Sequence, residues 1–239
     1  MIYATSDIHG YPLDSFLRLL EKAGFSSKDE LYVIGDVIDR HGDGGIAMLR
    51  WMMRRKNVTL IMGNHEDMLL KCGFLFTRDP ELNKPELLSP EESKHLAHWG
   101  RNGSAVTIQS LRELKGKDPE ELNKLLKYLT DAPLYMELTA NKKRFVLVHG
   151  GLNGFSAEKS LDEYSRHDLV WTRPAASDNY WNDRTVILGH TPTYIYSEKN
   201  RMFVTDTWVD IDTGAADGGS PMLLRLDDLK EFYAEREAD

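Results

Sequence analysis

The sequence predicts an α/β fold in which parallel strands alternate with helices. The main observation is a set of five short apolar runs, rich in β-branched residues, each ending in a polar or glycine-flanked residue. These runs are "IYATSD", "LYVIGD", "VTLIMGN", "RFVLVHG" and "TVILGH". Segments with helical spacing separate the first three runs, from Leu13 to Ala23 and from Ile46 to Arg54. This order favours parallel pairing of the strands through crossover helices.

The rest of the chain divides into a helical stretch and a second group of strands. From Glu66 to about Asp131, apolar residues recur at helical intervals, which predicts a mostly helical cover over one face. Within it, the proline-containing stretch from Asp79 to Pro90 predicts a loop. After Thr185 the strand pattern returns in "MFVTDTWVDIDTG" and "PMLLRL". We therefore expect the second half of the chain to supply a second sheet.

Length, composition and charge limit the classes of function. A chain of 239 residues with 41% hydrophobic and 28% charged residues favours one globular domain with a sizeable core. Its formal net charge of -8 argues against a nucleic-acid partner and against binding to an anionic membrane. Cys72 is the one cysteine, so no intrachain disulfide can form. Without an evident leader or a membrane-length apolar run, the sequence predicts a cytoplasmic protein.

Polar side chains follow the predicted strands at the point where each strand ends. They are Asp7, His9, Asp36, Asp39, Asn64, His65, His149 and His190. Turn geometry alone would explain the carboxylates of a single glycine-rich segment such as "GDVIDRHGDG". Carboxylate, imidazole and amide groups at the carboxyl ends of neighbouring strands, however, form a set of nitrogen and oxygen ligands for metal ions. The lack of cysteine ligands excludes a sulfur-based structural zinc site.

The motifs that carry these residues resemble those of the metallophosphoesterases. Within that superfamily they are most similar to the phosphoprotein phosphatases, which include bacterial and bacteriophage serine/threonine phosphatases. The motifs are "SDIHG" at 6–10, "GDVIDR" at 35–40, "GNHE" at 63–66, "HGGL" at 149–152 and "GHTP" at 189–192, with weaker similarities in "VWTR" at 170–173 and "DIDTGA" at 210–215. The resemblance implies a single calcineurin-like domain over residues 1–239, folded as a four-layer α/β/β/α sandwich with a dinuclear metal site at the strand ends.

The resemblance also implies a division of the metal ligands between two ions. Asp7 and His9 would bind one ion, and Asp36 would bridge it to the other. The ligands of the second ion would be Asn64, His149 and His190. A bridging carboxylate suits two divalent cations about 3.5 to 4 Å apart, which repel each other and can generate hydroxide near neutral pH. Mixed nitrogen and oxygen ligands suit manganese or iron, with zinc as a further option.

Four more residues take catalytic and binding roles by the same resemblance. His65 would protonate the leaving alkoxide, and Asp39 would orient the ring of His65 and support its charged form. Arg40 and Arg173 would hold the phosphoryl oxygens, for which the planar guanidinium fork is well shaped. A hydroxide bridging the metals would attack phosphorus directly and in line. Where this sequence has His41, the family usually has glycine, so we expect a different turn at Arg40.

The resemblance implies a phosphomonoester hydrolase, and we expect a serine/threonine protein phosphatase acting on a phosphoprotein or a small phosphorylated substrate. The alternative is a symmetrical dinucleoside tetraphosphate hydrolase. The usual pattern of that enzyme lacks an acid at the place of Asp39 and has Asp where Glu66 stands, so both positions favour the protein phosphatase. A scaffold without catalytic activity is disfavoured by the complete ligand set. The sequence leaves the oligomeric state open.

Several residues near the motifs allow structural explanations. Glu66 is either an acid that orients the segment after "GNH" or a surface residue. We expect surface roles for four further histidines, His41, His95, His98 and His167. For Trp99, Trp171 and Trp181 we expect core positions rather than a platform for substrate.

Overall fold

The computed structural model describes residues 1–234, in which ten strands form two mixed sheets of five strands each. The strands are β1 (Ile2–Ser6), β2 (Glu30–Ile34), β3 (Val58–Ile61), β4 (Tyr135–Ala140), β5 (Lys143–Val148), β6 (Thr185–Leu188), β7 (Phe203–Val204), β8 (Trp208–Asp210), β9 (Met222–Arg225) and β10 (Lys230–Tyr233). The first sheet has the order β10-β9-β1-β2-β3, and the second has the order β4-β5-β6-β8-β7. The apolar runs of the sequence form β1, β2, β3, β5 and β6, as predicted.

Parallel pairing holds the centre of each sheet. β1 pairs in parallel with β2, with Ala4 opposite Tyr32, and β2 pairs in parallel with β3. In the second sheet β5, β6 and β8 are parallel, with Val146 opposite Val186. The carboxyl ends of these strands therefore lie along one edge of each sheet, as the sequence predicts.

Eight α-helices lie among the described residues, together with several short 3-10 turns. They are α1 (Leu13–Ala23), α2 (Ile46–Met53), α3 (Asn64–Lys71), α4 (Phe74–Thr77), α5 (Pro90–Arg101), α6 (Ala105–Lys117), α7 (Pro119–Thr130) and α8 (Arg166–Val170). Helices α3 to α7 form the predicted helical cover. The predicted loop between α4 and α5 contains two 3-10 turns, and α5 begins after Ser89, whose hydroxyl accepts the amide N–H of Glu92.

Three apolar cores separate four layers. The first core lies between the helices and the outer face of the first sheet, and it contains Phe16, Leu49 and Leu125. In the second core, Ala4 from β1 meets Leu147 from β5 between the two sheets. The third core covers the outer face of the second sheet, beneath α8 and the neighbouring loops. This arrangement confirms the four-layer α/β/β/α sandwich, because alternate residues of each central strand point into different cores.

Three strands differ from the sequence prediction. The run "PMLLRL" forms β9, which returns to the first sheet and pairs antiparallel to β1, with Ala4 opposite Leu224. The second half of the chain therefore supplies strands to both sheets. The edge strands β4 and β10 were not predicted, because their side chains are partly exposed and carry a weak apolar pattern. A single domain over residues 1–239 stays a prediction. No helix within residues 1–234 combines the length and apolar character needed to cross a bilayer.

Candidate metal centre and active site

The turns after five strands bring the predicted ligands to one place. Asp7, Asp36 and His190 each follow a strand end in a left-handed backbone conformation, with φ of 52°, 53° and 69°. His9 has φ of 46°. Few residues other than glycine adopt such angles, although Asn, Asp and His do so more often than most. These sharp turns bring polar side chains into the site directly after buried strands. The carboxylates of the "GDVIDR" segment therefore belong to this site, and turn geometry alone does not explain them.

The carboxylate of Asp36 lies at the centre of the site. Its Oδ2 atom is 3.6 Å from Nε2 of His9, and its Oδ1 atom is 3.3 Å from Nε2 of His149. The amide N–H of His65 also donates to Oδ1, at 3.0 Å. On the Oδ2 side, Oδ1 of Asp7 lies 3.8 Å from Nε2 of His9. The two oxygens of one buried carboxylate thus face two separate groups of donor atoms.

Each side of Asp36 completes a group that could hold a cation. On one side, single donor atoms of His9, Asp36 and His65 lie within 4.8 Å of one another; on the other side, those of Asp36, His149 and His190 do so. The amide oxygen of Asn64 is 2.9 Å from Nε2 of His149. The donors fit two divalent ions of the kind that accept imidazole, carboxylate and amide ligands.

His9, His149 and His190 each turn one ring nitrogen toward the site. Nδ1 of His9 is 3.0 Å from the carbonyl oxygen of Ile38, and Nδ1 of His149 is 2.9 Å from that of Ile34, so both Nε2 atoms face inward. Nε2 of His190 is buried and has no hydrogen-bond partner among residues 1–234. Such an orphaned acceptor fits a metal ligand.

Burial and charge set the protonation of these imidazoles. Burial lowers the pKa of His9 to about 3 and that of His190 to about 2, which keeps both rings in the neutral, metal-binding form. Burial also acts to lower the pKa of His149, but the carboxylate of Asp36 outweighs it and raises the pKa to about 10. The centre of the site therefore attracts positive charge when no cation is present.

A second buried carboxylate holds His65. Oδ2 of Asp39 is 2.6 Å from Nδ1 of His65 and accepts the indole N–H of Trp99 at 2.7 Å. Its other oxygen accepts the hydroxyl of Thr107 at 2.6 Å. With Nδ1 engaged, Nε2 of His65 is the nitrogen that faces the cavity, 3.7 Å from Oδ2 of Asp36. Burial acts to lower the pKa of His65, but Asp36 and Asp39 raise it above its ordinary value.

Glu66 is a buried structural acid and not a surface residue. Its carboxylate accepts the backbone N–H groups of Asp36 at 2.8 Å, Val37 at 2.9 Å and Gly63 at 3.1 Å. Burial raises the pKa of Glu66 to about 7, while its N–H donors favour the ionised form. Glu66 therefore ties the turn after β2 to the start of α3, which positions Asp36 against Asn64.

A cavity of about 260 Å³ opens above these groups. Arg40 and Arg173 both line it. The Nη1 group of Arg173 donates to the carbonyl oxygen of His190 at 2.7 Å and lies 3.2 Å from the hydroxyl of Thr191. Arg40 has φ of 71° in the turn that leads into His41, and the amide N–H of Arg40 donates to the carbonyl oxygen of Gly103 at 3.1 Å. Arg40 thus reaches the cavity although histidine stands in the usual glycine position.

The structure brings every predicted site residue together and adds several that the sequence did not indicate. Those that line the cavity include Asn102, Trp171, Tyr194, Ile195 and Asp212. Trp99 is fully buried, as expected, but its indole also contacts Asp39. Trp99 and Asn102 both belong to the stretch "HWGRNG" at 98–103. No sequence pattern indicated Thr107.

The other predicted surface histidines and core tryptophans have mixed outcomes. His41 lies outside the cavity, with Nε2 2.8 Å from the carbonyl oxygen of Ala216. Trp181 packs edge-on against Phe155, with ring centroids 4.8 Å apart. Trp171 and Trp181 are both partly exposed, so the expectation of a core position was wrong for both, and Trp171 lines the cavity.

The sequence profile of the calcineurin-like phosphoesterases matches residues 1–217. The chain belongs to this family. Its two sheets and helical layers are therefore those of a calcineurin-like phosphoesterase.

Similarity to characterised members of the family points in two directions. Symmetrical bis(5'-nucleosyl)-tetraphosphatases are 34% identical over 104 residues (Acidovorax) and 36% identical over 105 residues (Cellvibrio japonicus). These matches cover 42% and 41% of this phosphoesterase but only 36% and 37% of the relatives. Serine/threonine-protein phosphatase 1 of Salmonella typhimurium is 24% identical, and that match covers 94% of this chain and 91% of the relative.

Solved structures agree on the fold. A crystal structure of a protein proposed to be a diadenosine tetraphosphatase superposes with a TM-score of 0.65 at 18% identity, covering 97% of this phosphoesterase and 91% of that chain. A serine/threonine phosphatase from Saccharomyces cerevisiae gives a TM-score of 0.56 at 15% identity, covering 100% and 81%. At these identities the likeness supports the shared fold alone.

Proposed function

We propose that this phosphoesterase is a hydrolase that uses two divalent cations. The observation that carries the proposal is the placement of Asp36, whose two oxygens face two converging sets of donors. The residues that would hold the ions are Asp7, His9, Asp36, Asn64, His149 and His190. When bound, the cations would supply Lewis-acid stabilisation of the phosphoryl oxygens and lower the pKa of water. Manganese or iron suits these donors best, with zinc as a further option.

The chain's own residues divide the remaining work. Arg40 and Arg173 bind the non-bridging oxygens of the phosphoryl group, since both line the cavity. His65 gives the proton of its Nε2 atom to the leaving oxygen, and Asp39 holds the ring and stabilises its charged form. No serine or cysteine of the described residues lines the cavity, and its buried aspartates and histidines are assigned to the cations and to the proton donor, so we assign water as the nucleophile that attacks phosphorus directly.

The first candidate substrate is a dinucleoside tetraphosphate that is cleaved symmetrically into two nucleoside diphosphates. The identity of 34% to 36% with symmetrical tetraphosphatases supports this substrate over the protein phosphatase expected from the motifs. Aromatic surface at the cavity also suits a nucleotide, because Trp171 and Tyr194 line it and Tyr194 is 39% exposed. The predicted cytoplasmic location is compatible with such a substrate.

A phosphoserine or phosphothreonine protein is the second candidate. It is favoured by the match to the Salmonella phosphatase over nearly the full length of both chains. Asp39 and Glu66 also keep the acids that the motif pattern of protein phosphatases has at these positions.

Product analysis separates the two candidates. Purified protein loaded with manganese should convert diadenosine tetraphosphate into ADP alone, faster than it releases phosphate from a phosphoserine peptide. ATP and AMP as products would contradict symmetrical cleavage, and preferential hydrolysis of the peptide would establish the second candidate. If the metal-loaded protein hydrolyses neither of these nor para-nitrophenyl phosphate, the proposal of a hydrolase is wrong.

A further inference from the structure

A basic groove adjoins the catalytic cavity on the other side of Trp171. We call it the Trp171 groove and define it by Lys71, Lys94, His98, Arg101, His167 and Trp171, which line it. No acidic side chain from residues 1–234 lines this groove, although the whole chain has a formal net charge of -8. A local surface of one sign on an oppositely charged protein indicates a binding site for a charged ligand.

One face of α5 supplies most of this charge. Lys94, His98 and Arg101 are spaced at four and then three residues, so they project from the same side of the helix. Within residues 1–234, neither Lys94 nor Arg101 has a carboxylate within ion-pair distance. Burial lowers the pKa of His98, and the charges of Arg101 and Lys71 add to this effect. With the pKa of His98 lowered, Lys94 and Arg101 are the fixed charges of this face, two turns apart with the His98 ring between them, and a bound anion could contact both.

The groove adjoins the catalytic cavity at Trp171, whose side chain lines both. The Trp171 ring packs against His98 with centroids 5.3 Å apart, and its centroid is 5.9 Å from that of His190, nearly perpendicular. Lys71 comes from α3, the helix whose first turn carries His65. Met68, one turn after His65 on the same face of α3, also lines the groove, so the groove borders the part of the cavity where His65 would release the leaving group.

Another part of the cavity lining has a different character. It contains Tyr194, Ile195 and Asp217, and the phenol of Tyr194 donates to Asp217 at 2.8 Å. Ile195 is 64% exposed. Arg40 also lines the cavity, where we assign it to the transferred phosphoryl group, so these residues offer an acid and apolar side chains to the rest of the substrate. The Trp171 groove, which has cations and no acid from residues 1–234, suits further phosphate groups better.

We propose that the Trp171 groove binds the phosphate groups of the leaving half of the substrate, a nucleoside diphosphate. The proposal rests on the proposed hydrolase function and adds the direction in which the substrate lies across the metal centre. Substrates whose leaving group carries further phosphates would gain affinity from Lys94 and Arg101. An aryl phosphate, whose leaving group has none, would not.

The test compares a groove variant with a charge-matched control. Lys94→Ala/Arg101→Ala removes two cations from the groove. Arg112→Ala/Lys124→Ala removes two exposed cations from α6 and α7, far from the lining of either cavity or groove. We expect the groove variant to raise the KM for diadenosine tetraphosphate about tenfold, the size of effect that one or two charged hydrogen bonds give. Its kcat/KM on para-nitrophenyl phosphate should change by less than about twofold, and the control variant should match wild type on both substrates.

Calorimetric binding of ADP to the manganese-loaded proteins gives a readout that does not need turnover. We expect about tenfold weaker ADP binding by the groove variant than by wild type or the control variant. If wild type hydrolyses no substrate, the proposed function fails, while ADP binding still tests the groove. Equal ADP affinity in all three proteins, or an equal loss of activity on both substrates in a groove variant with unchanged thermal stability, would overturn the proposal.

Discussion

We call the buried part of the cavity around Asp36 and Asp39 the floor, and its exposed edge with Arg40, Arg173 and Ile195 the rim. The two parts are stabilised in different ways. On the floor, Asp36 and Asp39 are at most 2% exposed and each has several hydrogen-bond or charged partners. On the rim, Arg40 and Arg173 are exposed, and Ile195 offers an apolar side chain to solvent. A buried carboxylate without partners is costly, so the floor must be held by a complete network, whereas the rim can vary at little cost.

We expect the floor residues to act in the chemical step and the rim residues to determine which substrates bind. Glu66 holds the floor by accepting the backbone N–H of Asp36, whereas the side chains of Trp99 and Thr107, which lie on helices, donate to the carboxylate of Asp39. Changes there should affect every substrate. Changes on the rim should affect substrates unequally, because exposed side chains contact only those ligands that reach them.

The largest effect should come from Asp36→Asn, because it removes one charge from the residue that both metal groups share. We expect both ions to bind more weakly and turnover to fall by about a thousandfold or more. Metal content measured by mass spectrometry and kcat on para-nitrophenyl phosphate check this, with exposed Asp14→Asn as control. A variant with two tightly bound ions and full turnover would show that Asp36 is not a bridge.

His65→Asn should distinguish leaving groups. A general acid contributes about a hundredfold to ten-thousandfold, and we expect a loss of this size on a phosphoserine peptide. A nitrophenolate leaves without a proton, so the loss on para-nitrophenyl phosphate should be much smaller. The kcat values of both substrates give the comparison, and equal losses would remove His65 from the role of proton donor.

Trp99→Phe tests the support of His65 without touching a proposed ligand. The variant replaces the buried indole with a smaller aromatic ring and leaves Oδ2 of Asp39 without its indole donor, now at 2.7 Å. Loss of a hydrogen bond to a buried charged group costs about 1.5 to 3 kcal/mol of unfolding free energy, which denaturant titration measures. We also expect turnover of phosphoserine to fall about tenfold. Trp181→Phe is the matched control, since its indole donates to the carbonyl of Ala157 near the surface. Equal stabilities of the two variants would contradict a special role for Trp99.

The sequence predicted the floor better than its supports. Asp7, Asp36 and His149 follow apolar strands, and parallel strand ends must meet, so a linear pattern was enough to gather them. Trp99 and Thr107 come from helices 60 and 68 residues after Asp39, where no strand end or spacing marks them. Their role depends on how the helical cover packs, which periodicity does not specify.

The same reasoning explains what the sequence did not predict in the fold and at the groove. An apolar run such as that of β9 shows that a strand is buried but not which sheet contains it, and β9 joins β1 only through tertiary packing. His98 and His167 lie at the surface, as expected, but no sequence pattern indicated that both would line the Trp171 groove. The groove is formed by α3, α5, α8 and Trp171 together, so it has no signature in any one segment.

The smallest effect should come from the rim, and it should depend on the charge of the substrate. Nη1 of Arg173 is fixed on the carbonyl of His190, so its guanidinium is positioned beside a proposed ligand although it is exposed. Arg173→Ala should lower kcat/KM on para-nitrophenyl phosphate about tenfold, the usual value of one charge-assisted hydrogen bond. Bis(para-nitrophenyl) phosphate has one charge fewer and an extra substituent, so its loss should be no more than about threefold.

Arg40→Ala should follow the same pattern, and Arg166→Ala, which removes an ion pair with Asp67 away from the cavity lining, should leave both rates unchanged. A uniform loss on monoester and diester would mean that the rim arginines support the metal site instead of the phosphoryl oxygens, and the division between floor and rim would then fail at Arg173.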